Sequence, residues 1–343
     1  MILTSLNRFM VACYTMINKS WLLSRTVLCA SFLQIVLQVT WWLPHQWNRI
    51  DADRDVFVYY NAANDALHGN PLYNFAQIQD AFNRTPSYLY LPQFAAITSP
   101  LGYLRYIDFS RMFYIAELAA FWVFSYTLAC LARDRPTFRD VATWGLILGI
   151  TPKVYFVMGI ANVDPMLWAF LGMALISTGR GAWLCVLAQI KVFYAVPLLL
   201  SILREGKQIA VPAAIAAIVG FSIGVSVCGV HSYVDWQYAA KSATQGRFLT
   251  ANVSISFAVL RIARDLGWHR ADGPLPMLAK IYLDLAGIVG TSATAYLARK
   301  LENRSYYVVC TLGALLFGPF CWDFYLVIAI ILLALWVRGV AEA

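Results

Sequence analysis

What most constrains this chain is a repeated run of apolar residues long enough to cross a bilayer. Such runs occupy about 21–43, 109–132, 138–158, 162–178, 182–203, 209–231, 275–298, 305–319 and 322–338, with short polar joints between most of them. A spanning helix needs roughly 20 predominantly apolar residues, because hydrocarbon offers backbone amides no partner outside their own helix. Of the 343 residues 60% are hydrophobic and 13% charged, against about 45–50% and about 25% in an ordinary soluble domain. A soluble globular protein is excluded. The expectation is an all-α polytopic membrane protein, one domain over 1–343.

The net charge of +8 comes from Lys and Arg placed in the joints: Arg133, Arg135 and Arg139, Arg180, Arg204 and Lys207, Arg299, Lys300 and Arg304, and Arg338. Such joints stay on the cytoplasmic side, so the long polar stretch 45–108 faces outward, as does a smaller region at 232–274. Both termini are then cytoplasmic. The run 182–203 has basic flanks on both sides, which one crossing cannot satisfy. It is expected to enter the membrane and return as a broken helix pair, with the break between Lys191 and Pro197. The first apolar run is too long for a signal-peptide core and is expected to remain as an anchor.

No basic run is interleaved with exposed aromatics, so no nucleic-acid partner is expected. The seven cysteines show no CxxC spacing, and the four histidines are scattered. Neither a disulfide framework, a metal site nor a cofactor is expected. Trp41, Trp42, Trp236 and Trp268 suit an interfacial belt. Glu117 and Asp284 lie within apolar runs and are expected to hydrogen-bond between helices.

The stretch 45–108 carries six of the eighteen acidic residues, and polar chemistry is expected there. From Asp55 to Leu67 the spacing of Val58, Ala62, Ala63, Ala66 and Leu67 predicts a helix. Asp53 or Asp55 would open it, where a carboxylate meets the positive end of the dipole. Gly69 would cap its end and Pro71 prevent its continuation.

DVFVYYNAANDALHGNPLY followed by YLYLPQFAAITSPL resembles the first-loop signature of the polyprenol-phosphate-mannose-dependent mannosyltransferases of glycosyltransferase family 87, members of the C-type (GT-C) fold. Asp55, Tyr59, Ala62, Ala63, Gly69, Pro71, Leu72, Tyr73, Tyr90, Pro92, Pro100 and Leu101 carry the match. Further along, GIANVDP with Asn162, IKVFYAVPLLL with Lys191 and Pro197, TANVSISF with Asn252 and Ser254, and GPFCWDFYLV resemble later family motifs. In the last of these the family usually carries His where this chain has Asp323.

The resemblance implies a GT-C-like helix bundle with a large first extracytoplasmic loop containing juxtamembrane helices. It implies an inverting glycosyltransferase that moves a sugar, mannose by the resemblance, from a polyprenyl-phosphate donor to a lipid-linked or glycan acceptor. The enzyme would be a multi-pass protein of the inner (plasma) membrane, in contact with membrane lipids, with its active site on the extracytoplasmic side. Asp55 would be the general base, and Tyr59, Tyr90, Asn162, Asn252 and Asp323 would line the substrate site. Lys191 lies deep in an apolar run, where a charge is costly unless paired or hydrated, and is a candidate for the donor phosphate. Lys241 and Arg247, in the second outward region, are further candidates.

Simpler readings stand beside these. Asp55 could only cap its helix, Asp51 or Asp53 could be the base or merely solvated, and Lys191 could snorkel to an interface. Asp164 before Pro165 is explained by a helix start alone. A lipid-linked-sugar flippase or small-solute transporter also has many helices with intramembrane charges, and a noncatalytic scaffold is a third class.

Overall fold

The computed structural model describes residues 20–47, 55–73, 88–244, 253–267, 277–318, 321 and 323–341, without the side chains of 241–244, 264, 323–324 and 340–341. Among these residues the regular structure is entirely helical. Helix α1 (Trp21–Trp47) is followed by α2 (Asp55–His68), α3 (Pro92–Thr98), a 3-10 turn at Ser99–Tyr103 and α4 (Tyr106–Ala132). Next come α5 (Phe138–Gly149), α6 (Pro152–Gly159), α7 (Asp164–Ile176), α8 (Arg180–Ile190) and α9 (Ala195–Glu205). The chain continues through α10 (Lys207–Cys228), α11 (His231–Thr244), α12 (Ile255–Asp265), α13 (Met277–Ala298) and α14 (Asn303–Phe317), then a 3-10 turn at Asp323–Ile328 and α15 (Ala329–Ala341).

The apolar runs are not all full crossings. Among the described residues α1, α4, α10 and α13 are long and apolar enough to span, and α5 with α6 makes a fifth span only as a pair bent by 76°. The expected single segment 138–158 is corrected accordingly. Thr151 precedes Pro152, and a residue before proline is pushed out of the helical region while proline itself opens a helix readily. Helix α7 has 13 residues, about 20 Å at a helical rise of about 1.5 Å, short of a hydrocarbon layer of about 30 Å.

The run 182–203 divides as expected. Lys191 is extended (φ −124, ψ 109) between α8 and the turn leading to α9. The two far ends meet, with Arg180 Nη1 donating to Glu205 Oε1 at 3.0 Å, so the segment doubles back on itself. Gly181 lies so close to the backbone of Ile209 that a Cβ there would collide, and α8 packs tightly on α10.

Helix α2 follows its sequence signals closely. It ends at His68, Gly69 takes the left-handed conformation (φ +70), and Asn70 N–H closes the end on Asp65 O at 2.8 Å. Val58, Ala62, Ala63 and Ala66 are buried. A Cβ on Gly102 would stand 2.9 Å from Ala63 O, so small residues on both sides let the 99–103 turn lie against α2.

Polar side chains join the apolar helices inside the bundle. Gln38 accepts from Trp122 Nε1 at 3.1 Å and donates to Tyr155 OH at 3.0 Å, while Gln34 donates to Gly145 O at 3.1 Å. In hydrocarbon such bonds help fix neighbouring helices. Glu117 is fully buried in α4, but Asp284 is exposed, because α13 turns Ala279, Leu283, Thr291 and Ala295 inward instead. Two of the expected belt tryptophans are also drawn inward. Trp42 is buried against the edge of Tyr114, and Trp236 donates to Leu89 O at 3.1 Å. Trp41 is exposed, and Trp268 lies outside the described residues.

Candidate functional site

Three helix starts and breaks converge on one polar cluster. The backbone N–H of Asp55, at the start of α2, donates to Ile160 O at 3.1 Å, which ties α2 to the turn between α6 and α7. That turn is sharp: Ala161 has φ 53, and Asn162 N–H bonds back to Val157 O at 3.2 Å. Helix α7 begins at Asp164 with Pro165 in its first turn, and the break at Lys191 faces it.

The contacts form a chain. Asn162 Nδ2 donates to Asp55 Oδ2 at 2.5 Å, and Asn162 Oδ1 accepts from Asp164 N–H at 3.0 Å and lies 3.5 Å from Lys191 Nζ. Lys191 Nζ forms an ion pair with Asp164 Oδ2 at 2.6 Å, lies 3.4 Å from Tyr325 OH, and stands 4.6 Å from the centre of that ring. Lys191 is 8% exposed and Asp164 1%. A buried ammonium is tolerable there because a carboxylate faces it. Both acidic residues sit in the first turn of a helix, where the dipole favours negative charge.

Beside Asp55, Tyr59 OH and Tyr90 OH are 2.9 Å apart, and Val163 N–H donates to Tyr59 OH at 3.3 Å. Tyr59 is packed by Tyr90, Phe94 and Phe113, and Tyr73 OH donates to Tyr90 O at 2.7 Å. Tyr90 is half-buried. Aromatic rings thus wall one side of the carboxylate.

Asp55 as a residue is half-buried, and desolvation pushes its carboxyl up to about 6. The Asn162 hydrogen bond and the Lys191 charge oppose that rise, and the Asp164 charge adds to it. At neutral pH such a group is mostly ionised and is a better proton acceptor than a surface aspartate.

Of the residues singled out in sequence, the structure brings together Asp55, Tyr59, Tyr90, Asn162 and Lys191. Asn162, expected on the substrate, bonds to Asp55. Lys241 lies on α11 with its side chain outside the described residues, as does that of Asp323 at the start of the 323–328 turn. Arg247, Asn252, Asp51 and Asp53 lie outside the described residues altogether.

Sequence reasoning missed Asp164 and Tyr325. Asp164 was explained as a cap, whereas Val163 holds that position and the Asp164 side chain turns to Lys191. The available signal was that an intramembrane lysine calls for an acidic partner.

Residues 88–322 match the profile of glycosyltransferase family 87, more than half of the chain. The match includes Tyr90, Asn162, Asp164 and Lys191; Asp55 lies before it, and Asp323 and Tyr325 just beyond it. No curated protein and no solved structure matches this chain.

Proposed function

The chain belongs to glycosyltransferase family 87, and we propose that it moves a sugar, mannose, from a polyprenyl-phosphate donor to a lipid-linked or glycan acceptor with inversion at the anomeric carbon. The observation that carries this reading is the Asp55 carboxylate, hydrogen-bonded to Asn162 at the meeting point of three helix ends and shifted upward by desolvation. An acceptor hydroxyl is a weak nucleophile until a positioned base takes its proton, which contributes roughly 10²- to 10⁴-fold. The departing lipid phosphate needs no proton, so one carboxylate suffices where glycoside hydrolases use two.

Positive charge must meet the developing phosphate, and Lys191 supplies it from beside the base, with Lys241 and Arg247 as further contacts. Tyr59, Tyr90, Asn252 and Asp323 are assigned to the substrate side. The basic joints support an active site on the extracytoplasmic face of the plasma membrane, with 45–108 as the catalytic loop and 232–274 as the second outward region.

The test is incubation of purified protein with polyprenyl-phosphate [14C]mannose and a membrane lipid extract. A new labelled lipid or glycan is expected. Label that only crosses the bilayer of proteoliposomes while remaining on the donor would replace this reading with a flippase.

A further inference from the structure

The Asn162 carboxamide has one workable orientation. Its Oδ1 faces two donors, the Asp164 N–H at 3.0 Å and the Lys191 ammonium at 3.5 Å, and its Nδ2 faces the Asp55 Oδ2 acceptor at 2.5 Å. Turned over, the amide would set N–H groups against two donors and an oxygen against a carboxylate. Lys191 does not wander, because Asp164 holds it at 2.6 Å in a pair that is almost wholly buried. The turn presenting Asn162 is itself held in a conformation costly for a residue with a side chain, Ala161 at φ 53.

We propose that Asp164 is a positioning residue: through Lys191 and through its own backbone amide it locks Asn162 as a hydrogen-bond donor to Asp55 Oδ2, leaving Oδ1 to take the acceptor proton. The proposal rests on the reading of Asp55 as the base and deepens it. Asn162 then serves the base, and Lys191 has two tasks, one toward the donor and one toward Asn162. The same arrangement divides one positive charge between two carboxylates, directly to Asp164 and through Asn162 to Asp55.

The charged and titratable groups acting on Asp55 within the cluster are Lys191, Asp164, Tyr59, Tyr90 and Tyr325. On its own helix are also Tyr60, Asp65 and His68. From the start of α4 come Arg105, Asp108 and Arg111, where Asp108 accepts from Arg105 at 2.8 Å and lies 3.8 Å from Arg111.

Two substitutions move Asp55 in opposite directions. Asp164→Asn removes a like charge and so lowers the Asp55 titration by itself, but by releasing Asn162 it should also abolish the effect of Asn162 on Asp55: Asn162→Leu should leave Asp55 unmoved in the Asp164→Asn background. Asn162→Leu leaves the Lys191–Asp164 pair in place and removes the donor, so Asp55 should titrate higher. The readout is infrared spectroscopy of protein labelled with [13C]carboxyl aspartate, the Asp55 band being assigned by subtraction of Asp55→Asn.

Opposite displacements in the two variants are the expected result. An Asp55 titration unchanged in Asn162→Leu overturns the proposal, and so does an Asn162→Leu displacement of equal size with and without the Asp164→Asn change. Should Asp164→Asn fail to fold, Lys191→Met with Asp164→Leu, which removes the pair without leaving a buried charge, takes its place as the background. Because this readout needs no turnover, an inactive wild-type protein with correctly displaced titrations would reject the transferase reading while sustaining the positioning network.

Discussion

At the residue scale, the proposal that Asp55 is the base predicts how activity depends on pH. Burial raises it to about 6, and a general base works only when deprotonated, so kcat/KM should rise as pH increases through about 6 and then level. A profile already flat from pH 4.5 upward would contradict the assignment. The Lys191–Asp164 pair makes a second prediction. Removing one partner of a buried pair leaves an uncompensated charge and costs roughly 3–5 kcal/mol, whereas replacing both with apolar residues is often tolerated. Lys191→Met should therefore unfold at markedly lower temperature, and Lys191→Met with Asp164→Leu should recover much of that loss. Equal melting of the single variant and the wild type in detergent would show that the pair carries no stability. Asp55 and Lys191 were legible in sequence because one opens a helix with a family pattern and the other is a charge at depth. Asp164 was not, since Asp followed by Pro has a sufficient local explanation, and only the three-dimensional approach of the 191 break reveals its partner.

At the scale of elements, local signals predict best where the reason for an element is itself local. Helix α2 has an acidic start, buried small residues at helical spacing and a left-handed glycine at its end, and the structure reproduces all three. The bend between α5 and α6 was hidden by an unbroken apolar run, although Thr151 and Pro152 stood in it. Hydropathy reports where a chain is apolar and says nothing about its direction. The contact of Gly102 with the Ala63 backbone supplies an element-level prediction. Backbone cannot step aside as a side chain does, so Gly102→Val should push the 99–103 turn from α2 and cost about 1–3 kcal/mol through overpacking. Activity should fall with it while Gly69→Asn, at a left-handed position that Asn tolerates, stays near wild type. A Gly102→Val protein with unaltered melting and turnover would show that this close approach does not position α2.

For the whole molecule, the proposed topology rests on the basic joints, and the meeting of Arg180 with Glu205 fits the expectation that both ends of the 180–205 segment lie on one side. Substituted one at a time on a cysteine-free background, His68→Cys should react with an impermeant maleimide in intact cells, and Arg135→Cys should react only after permeabilisation. The reverse pattern would invert the topology and place the site in the cytoplasm. The account as a whole stands on a transferase whose base is Asp55, and single turnover from polyprenyl-phosphate [14C]mannose tests that most directly. Asp55→Asn keeps the shape of the side chain and an oxygen for Asn162, so melting should change little and donor binding should persist. Transfer should fall by about 10²-fold or more. Transfer at the wild-type rate by a folded Asp55→Asn protein would contradict the account.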